Sequence, residues 1–287
     1  MKRKLKRLTR IKMNSFEEHI NEYFNNVRDC MIKDAMAYAM DGGKRFRPLI
    51  IFSILKGMGL DEEIGYDAAL ALEMIQTYSL IHDDLPAMDN DDMRRGKPSL
   101  HKAFREDIAI LAGDQLLTDS FRVIADSKKY SDTCKVNLIL CLSKYAGLDG
   151  MIYGQLLDVT SNNEDIDSKK LIEIQDNKTG GLFKIACLMA MYIKGEDKDN
   201  YYIGLGSRIG QIFQNQDDLF DLIKSEEELG KTHSDVKNDK GTALSIYSLD
   251  ELKKIIDDQF NELDTYLTNA TFDTTYLKQL LLKLKER

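Results

Sequence analysis

Tryptophan is absent from the 287 residues, and proline occurs only as Pro48, Pro86 and Pro98. A chain whose last 189 residues lack proline is poorly supplied for the turns of a sandwich or barrel, and long helices are expected instead. The four cysteines, Cys30, Cys134, Cys141 and Cys187, form no CxxC pair. Neither a zinc ribbon nor a disulfide framework is indicated, and a reducing, cytoplasmic setting fits. No run reaches the ~18 apolar residues that span a bilayer, and the basic N-terminus lacks the apolar core of a secretory signal. What is present, 43% hydrophobic and 31% charged residues, is the composition of a globular protein.

The net charge of -8 is unevenly spread. Residues 1–12 hold seven Lys/Arg and no acid, which leaves -15 on the rest. So acidic a body excludes nucleic acid as a natural partner, and any phosphate-bearing ligand must be met by local bases and metal ions. Residues 1–13 read as a basic, solvated and flexible arm, with Met13 an alternative start. Residues 14–287 read as one domain, because no repeat or linker divides them.

Asp67 to Ile81 is apolar around most of a helix circumference, as in a helix buried among other helices. It ends in His82-Asp83-Asp84, so a buried helix delivers adjacent carboxylates, a conflict typical of functional sites. A second apolar helix is expected over Val136 to Thr160, ending in Gly154-Gln155-Leu156-Leu157-Asp158. A third, Tyr201 to Lys224, carries Asp217-Asp218-Leu219-Phe220-Asp221. The i, i+1, i+4 spacing puts its three carboxylates within about 100° of arc, where they repel unless cations compensate. Asp89 lies six residues after Asp83, about 120° round a regular helix, but Pro86 supplies a break that can bring it back. Oxygen donors with little His and no Cys suit Mg²⁺ or Mn²⁺.

Bases alternate with these acids. Gly42-Gly43-Lys44-Arg45-Phe46-Arg47-Pro48 is expected to open a helix with Lys44 and Arg47 on one face, a suitable seat for phosphate. Arg94 and Arg95 follow the first acid cluster, where guanidiniums and metals can share a diphosphate. Gly230-Lys231 and Asp239-Lys240 add later cations. Lys178-Thr179-Gly180-Gly181 interrupts a helical pattern and marks either a kink facing a cavity or an inter-helix turn. No Ser/His/Asp or Cys/His arrangement suggests a side-chain nucleophile.

HDDLPAMDNDDMRRGKPSLH (82–101), GGKRFRP (42–48), GDQLL (113–117), KTGGLF (178–183), FQNQDDLFD (213–221) and GKTHSDVKNDK (230–240) together resemble the short-chain trans-isoprenyl diphosphate synthases, most of all the bacterial farnesyl type. The resemblance implies an all-α fold, a single antiparallel helical bundle around a deep central cavity, and a homodimer. It implies Mg²⁺, three ions per site with Mn²⁺ as a substitute, held by Asp83, Asp89 and Asp217 with Asp84, Asp218 and Asp221 in support. The allylic substrate, dimethylallyl or geranyl diphosphate, would be held through Arg94, Lys178, Thr179, Gln214, Lys231 and Lys240. Isopentenyl diphosphate would lie against Gly43, Lys44, Arg47, Gln76 and Arg95.

In that likeness, ionisation of the allylic diphosphate is followed by attack of the isopentenyl double bond and loss of a proton to the released diphosphate. Oxygens at Lys178, Thr179 and Gln214 face the allylic cation. Tyr78, five residues before Asp83, would form a floor that stops growth at fifteen carbons. Two departures stand out. Gly241-Thr242-Ala243-Leu244 replaces the family's usual Ser/Thr-Thr-Tyr/Phe-Pro after Lys240, and Gln76 replaces a common His. The alternatives are a geranylgeranyl or geranyl diphosphate synthase of the same fold, or a catalytically silent partner subunit. Silent subunits usually lose one acid motif, and both are kept here.

Overall fold

The computed structural model describes residues 2–161, 167–223 and 243–285. Lys231 and Lys240, expected on the allylic side, lie outside the described residues, as does the start of the altered segment at Gly241 and Thr242.

Fourteen α-helices account for most of the described chain: α1 (Lys2–Asn25), α2 (Met31–Met40), α3 (Phe46–Gly57), α4 (Tyr66–Asp83), α5 (Leu100–Ala103), α6 (Glu106–Asp126), α7 (Asp132–Ala146), α8 (Met151–Thr160), α9 (Ser168–Lys178), α10 (Gly180–Lys194), α11 (Asp199–Ile223), α12 (Ala243–Ile246), α13 (Leu249–Tyr266) and α14 (Thr275–Lys285). Among the described residues the only strands are β1 (Met93–Arg94) and β2 (Lys97–Pro98), an antiparallel pair. The all-α expectation holds. No helix of the described residues is long and apolar enough to cross a membrane. Helix α1 runs through residues 13 and 14 without a break, so its backbone shows no boundary between the basic arm and the domain.

The core is organised around α4 and α10. Ala68, Ala69, Leu70, Ala71, Leu72, Met74 and Ile75 are all buried, and α4 packs most extensively against α6, α10 against α11. The second crossing accounts for Gly180, and Gly181 faces the turn after α7, where an added Cβ would lie 2.8 Å from Tyr145 O. A Cβ on Gly210 would lie 2.7 Å from Gly180 Cα, and one on Gly206 would lie 2.5 Å from Lys184 Cα. Gly180 and Gly181 are therefore the first two residues of α10, buried where neighbouring backbones touch. Only Thr179 separates α9 from α10; it keeps helical dihedrals (φ -96°, ψ -46°), so the junction is a kink and not a turn.

Two expected helices differ in extent. The stretch from Val136 to Thr160 is broken between Ala146 and Met151, because the chain doubles back so tightly that a Cβ on Gly150 would sit 2.0 Å from Tyr145 O. The helix expected to open at the glycine pair begins only at Phe46, after Arg45 in the left-handed region at φ 47°. Lys44 thus stands on a loop before α3 and does not share a helix face with Arg47.

Candidate active site

Helix α4 ends at Asp83, and the following eight residues curl back onto its end. The Asp84 amide donates to Leu80 O, Asp89 N to Asp83 O at 2.9 Å, Asn90 N to Leu85 O at 3.1 Å and Asp91 N to Asp84 O at 3.2 Å. Pro86 cannot continue a helix, and Asn90 takes the left-handed conformation (φ 51°) that Asn tolerates. The result is the return expected of Asp89. A two-residue hairpin turn then presents Arg95 (φ 55°) and Gly96 (φ 77°), both left-handed as a type I′ turn requires. Lys97 Nζ anchors the hairpin to Tyr38 O at 2.6 Å, and Tyr38 Oη donates to Pro98 O at 2.8 Å.

A cavity of about 1160 Å³ opens between these elements and α8 to α11, above the roughly 300–1,000 Å³ of common ligand pockets. It is lined by Asp83, Asp89, Arg94, Lys178, Thr179, Gln214 and Asp217 together with Gly43, Lys44, Arg47, Gln76, Arg95 and Tyr78. Thirteen sequence-derived residues from distant segments therefore meet in one space.

Three of the acids lie behind this wall. Asp84 is buried and accepts from Arg94 Nε at 2.9 Å and from Nη2. Burial pushes its carboxyl up to about 6 against the pull of Arg94. Arg94 Nη2 also donates to the buried Asp91 at 3.1 Å. Although burial works against its charge, Asp84 and Asp91 hold it firmly protonated. Asp84 therefore orients Arg94 and does not itself line this cavity. Asp218, also buried, accepts from Gln214 Nε2 at 2.8 Å and from the Ala243 amide at 2.9 Å. Asp221 is half-buried and does not line the cavity.

Asp83 accepts a hydrogen bond from Gln155 Nε2 and lies 3.9 Å from Lys178 Nζ, which is itself paired with Asp158 at 2.6 Å. Thr179 Oγ1 donates to Gln214 Oε1 at 2.6 Å. The chain Thr179–Gln214–Asp218 fixes the amide so that its oxygen points to Thr179. At the other end, Arg47 lies 4.6 Å over the Phe183 ring, and its buried Nε has no hydrogen-bond partner among the described residues. Burial lowers its guanidinium to about 10. Gln76 Oε1 is likewise buried without a partner. Unsatisfied polar atoms around a cavity call for a polar ligand. Tyr78 is 6% exposed and packs edge-on against His82, with ring centroids 5.8 Å apart.

The donors suit a divalent cation shared with a ligand. Asp83, Asp89 and Asp217 offer oxygen only, yet among the described residues no three His, Cys, Asp or Glu side chains are grouped closely enough to hold an ion alone. Mg²⁺ retains waters and completes its shell with substrate phosphates, which fits carboxylates spread around a cavity.

Gln155, Asp158, Arg45 and Glu73 were not singled out by sequence as site residues. The first two lay in the acid-ended segment at 154–158, where only a helix terminus was legible. Arg45 lay inside the glycine–base motif, and Glu73 carried no local signal.

A family model described as polyprenyl synthetase matches residues 29–281. Over 275 residues the chain is 39% identical to the farnesyl diphosphate synthase of Micrococcus luteus, covering 94% of each chain. Over 277 residues it is 37% identical to the chloroplastic geranylgeranyl pyrophosphate synthase 7 of Arabidopsis thaliana, covering 94% of this chain and 79% of that one. The crystal structure of a geranyltransferase from Helicobacter pylori, complexed with magnesium and isoprenyl diphosphate, superposes with a TM-score of 0.85 at 28% identity over 96% of each chain.

Proposed function

The chain belongs to the polyprenyl synthetase family, and from that membership we propose how its cavity works as a prenyltransferase. The reaction is the 1′-4 condensation of isopentenyl diphosphate with dimethylallyl or geranyl diphosphate to give farnesyl diphosphate and free diphosphate. The observation that carries this reading is the cavity itself, whose one lining brings together carboxylates, several cations and an aromatic.

Asp83, Asp89 and Asp217 are the residues to hold Mg²⁺, which when bound supplies Lewis-acid stabilisation of the departing diphosphate. The reading takes three ions per site and admits Mn²⁺ in their place, with Asp84 and Asp221 in support. Lys178 and Arg94 Nη1, which makes no hydrogen bond to the described residues, face the allylic diphosphate. Lys231 and Lys240 join them in this proposal. The allylic C1–O bond breaks, and its electron pair leaves with the diphosphate. Thr179 and Gln214 oxygens, locked by their mutual hydrogen bond, present negative dipoles to the allylic cation without reorganising. Lys44, Arg47, Gln76 and Arg95 hold isopentenyl diphosphate so that its double bond reaches that C1. The new C–C bond forms, and a proton from C2 of the isopentenyl unit passes to the released diphosphate. Tyr78 limits the chain to fifteen carbons.

We further propose a cytoplasmic homodimer whose catalytic unit is residues 14–287. The free cysteines support a reducing setting. Val136 and Leu140, one turn apart on α7, are 54% and 59% exposed, and Leu111 on the adjoining α6 is 52% exposed. Such an apolar surface calls for a cover.

The test is incubation of the purified chain with Mg²⁺, isopentenyl diphosphate and either dimethylallyl or geranyl diphosphate, with chromatography of the dephosphorylated products. Farnesol from both starters is expected. A C20 alcohol would place the protein with the geranylgeranyl synthases, and no condensation would make it a silent partner subunit.

A further inference from the structure

We propose that Arg45 is a positioning residue that keeps Glu73 from neutralising the cations of the isopentenyl diphosphate site. This rests on the reading that Lys44, Arg47, Gln76 and Arg95 receive that substrate.

Glu73, 3% exposed near the middle of α4, is an acid in a wall otherwise supplied with Lys44, Arg47 and Arg95. Its field reaches Arg47 and Arg95 and favours the charged form of each. A buried carboxylate must find a cation, and if it took Arg47 or Arg95 it would compete with the diphosphate. Arg45 removes that competition. Its left-handed backbone turns the side chain inward, where it is 2% exposed. Nη1 donates to Glu73 Oε2 at 2.7 Å, Nε to Glu17 Oε1 at 2.7 Å, and Nη2 to Met40 O at 2.6 Å and Glu17 Oε2 at 3.1 Å.

All three guanidinium nitrogens thus donate, and four of the five N–H groups go to Glu73, Glu17 and Met40 O, so Arg45 borders the cavity committed to the acids behind it. Arg47 shows the opposite pattern. Its guanidinium stacks on Phe183, and its Nε lacks a partner among the described residues. Arg95 gives Nη1 to Ala39 O at 2.9 Å, and its guanidinium passes where a Cβ on Gly43 would come within 3.1 Å. One arginine satisfies the acid so that its neighbours can meet the substrate.

The experiment measures KM for each substrate in Arg45→Met and in Arg45→Met/Glu73→Gln, with melting curves on both. Arg45→Met is expected to raise KM for isopentenyl diphosphate tenfold or more and to leave that for geranyl diphosphate within about twofold. The double variant, with no carboxylate to capture Arg47, returns the isopentenyl value to within about threefold of the parent. If Arg45 only fixed the loop, the second substitution would rescue nothing, and a persisting tenfold defect overturns the proposal. Should Arg45→Met fail to fold, the double variant alone decides, by the same two limits. Arg47→Ala is run beside them. An unchanged isopentenyl KM there would overturn the assignment of the site itself, and the premise with it.

Discussion

Lys178 stands between two carboxylates, 2.6 Å from Asp158 and 3.9 Å from Asp83. Asp158 thereby holds the ammonium away from a carboxylate proposed to receive Mg²⁺. Replacing Asp158 by Asn weakens that hold and lets Lys178 close on Asp83. The half-saturating Mg²⁺ concentration is expected to rise about tenfold, ~1.4 kcal/mol, as read from initial rates across a Mg²⁺ series. An unchanged Mg²⁺ requirement would show that Lys178 does not compete for Asp83. Tyr78, five residues before Asp83 on α4, is tested separately. Burial raises its phenol to about 12, so it is neutral at working pH, and the proposed role falls to its bulk. Tyr78→Ala should move the main product from fifteen to twenty carbons while condensation continues. A product still ending at fifteen would place the floor elsewhere.

Among the elements, the α8–α9 crossing carries the chemistry most directly. A Cβ on Gly154 would lie 2.0 Å from Lys178 N and 2.5 Å from Lys178 Cα, so the backbones touch where Gln155 and Lys178 reach Asp83. Gly154→Ala must push the helices apart. Overpacking of this kind costs about 1–3 kcal/mol, and misplacing two side chains in the site should lower kcat more than tenfold. A denaturation midpoint and a kcat measured together check both. An unchanged kcat would show that the contact serves stability alone. Such contacts also mark how far the sequence could be read. The buried α4, its terminal acids and the return at Pro86 were legible because period, charge and a helix breaker are local signals. Gly154 and the pair at 180–181 were not, since a glycine that admits a neighbouring backbone looks like one that makes a turn until the neighbour is in place. The Gln155–Asp83 and Arg45–Glu73 contacts join residues 72 and 28 apart, a distance no local pattern spans.

For the molecule as a whole, the family resemblance carried by the six motifs implied a cavity, and the fold brings thirteen of the expected residues to one. The resemblance could not show that Asp84 and Asp218 are taken up by groups of the protein itself, because that depends on which side of each helix is buried. The exposed face of α6 and α7 bears on assembly. Leu140→Lys places a charge on the exposed side of α7 and should convert the proposed dimer into the 32.8 kDa chain, read by light scattering. Equal masses for parent and variant would remove this face from the interface.

The turn after α4 is closed by its own hydrogen bonds, Asp89 N to Asp83 O among them, and owes little to what lies further down the helix. Tyr78 is five residues away, roughly 7.5 Å along the axis. The proposed catalytic end and the proposed size gauge therefore ride on one rod yet are separately secured. Descent with modification could re-cut the gauge by a single substitution and inherit the chemistry intact, so one ancestral scaffold can stock a range of product lengths without relearning the reaction.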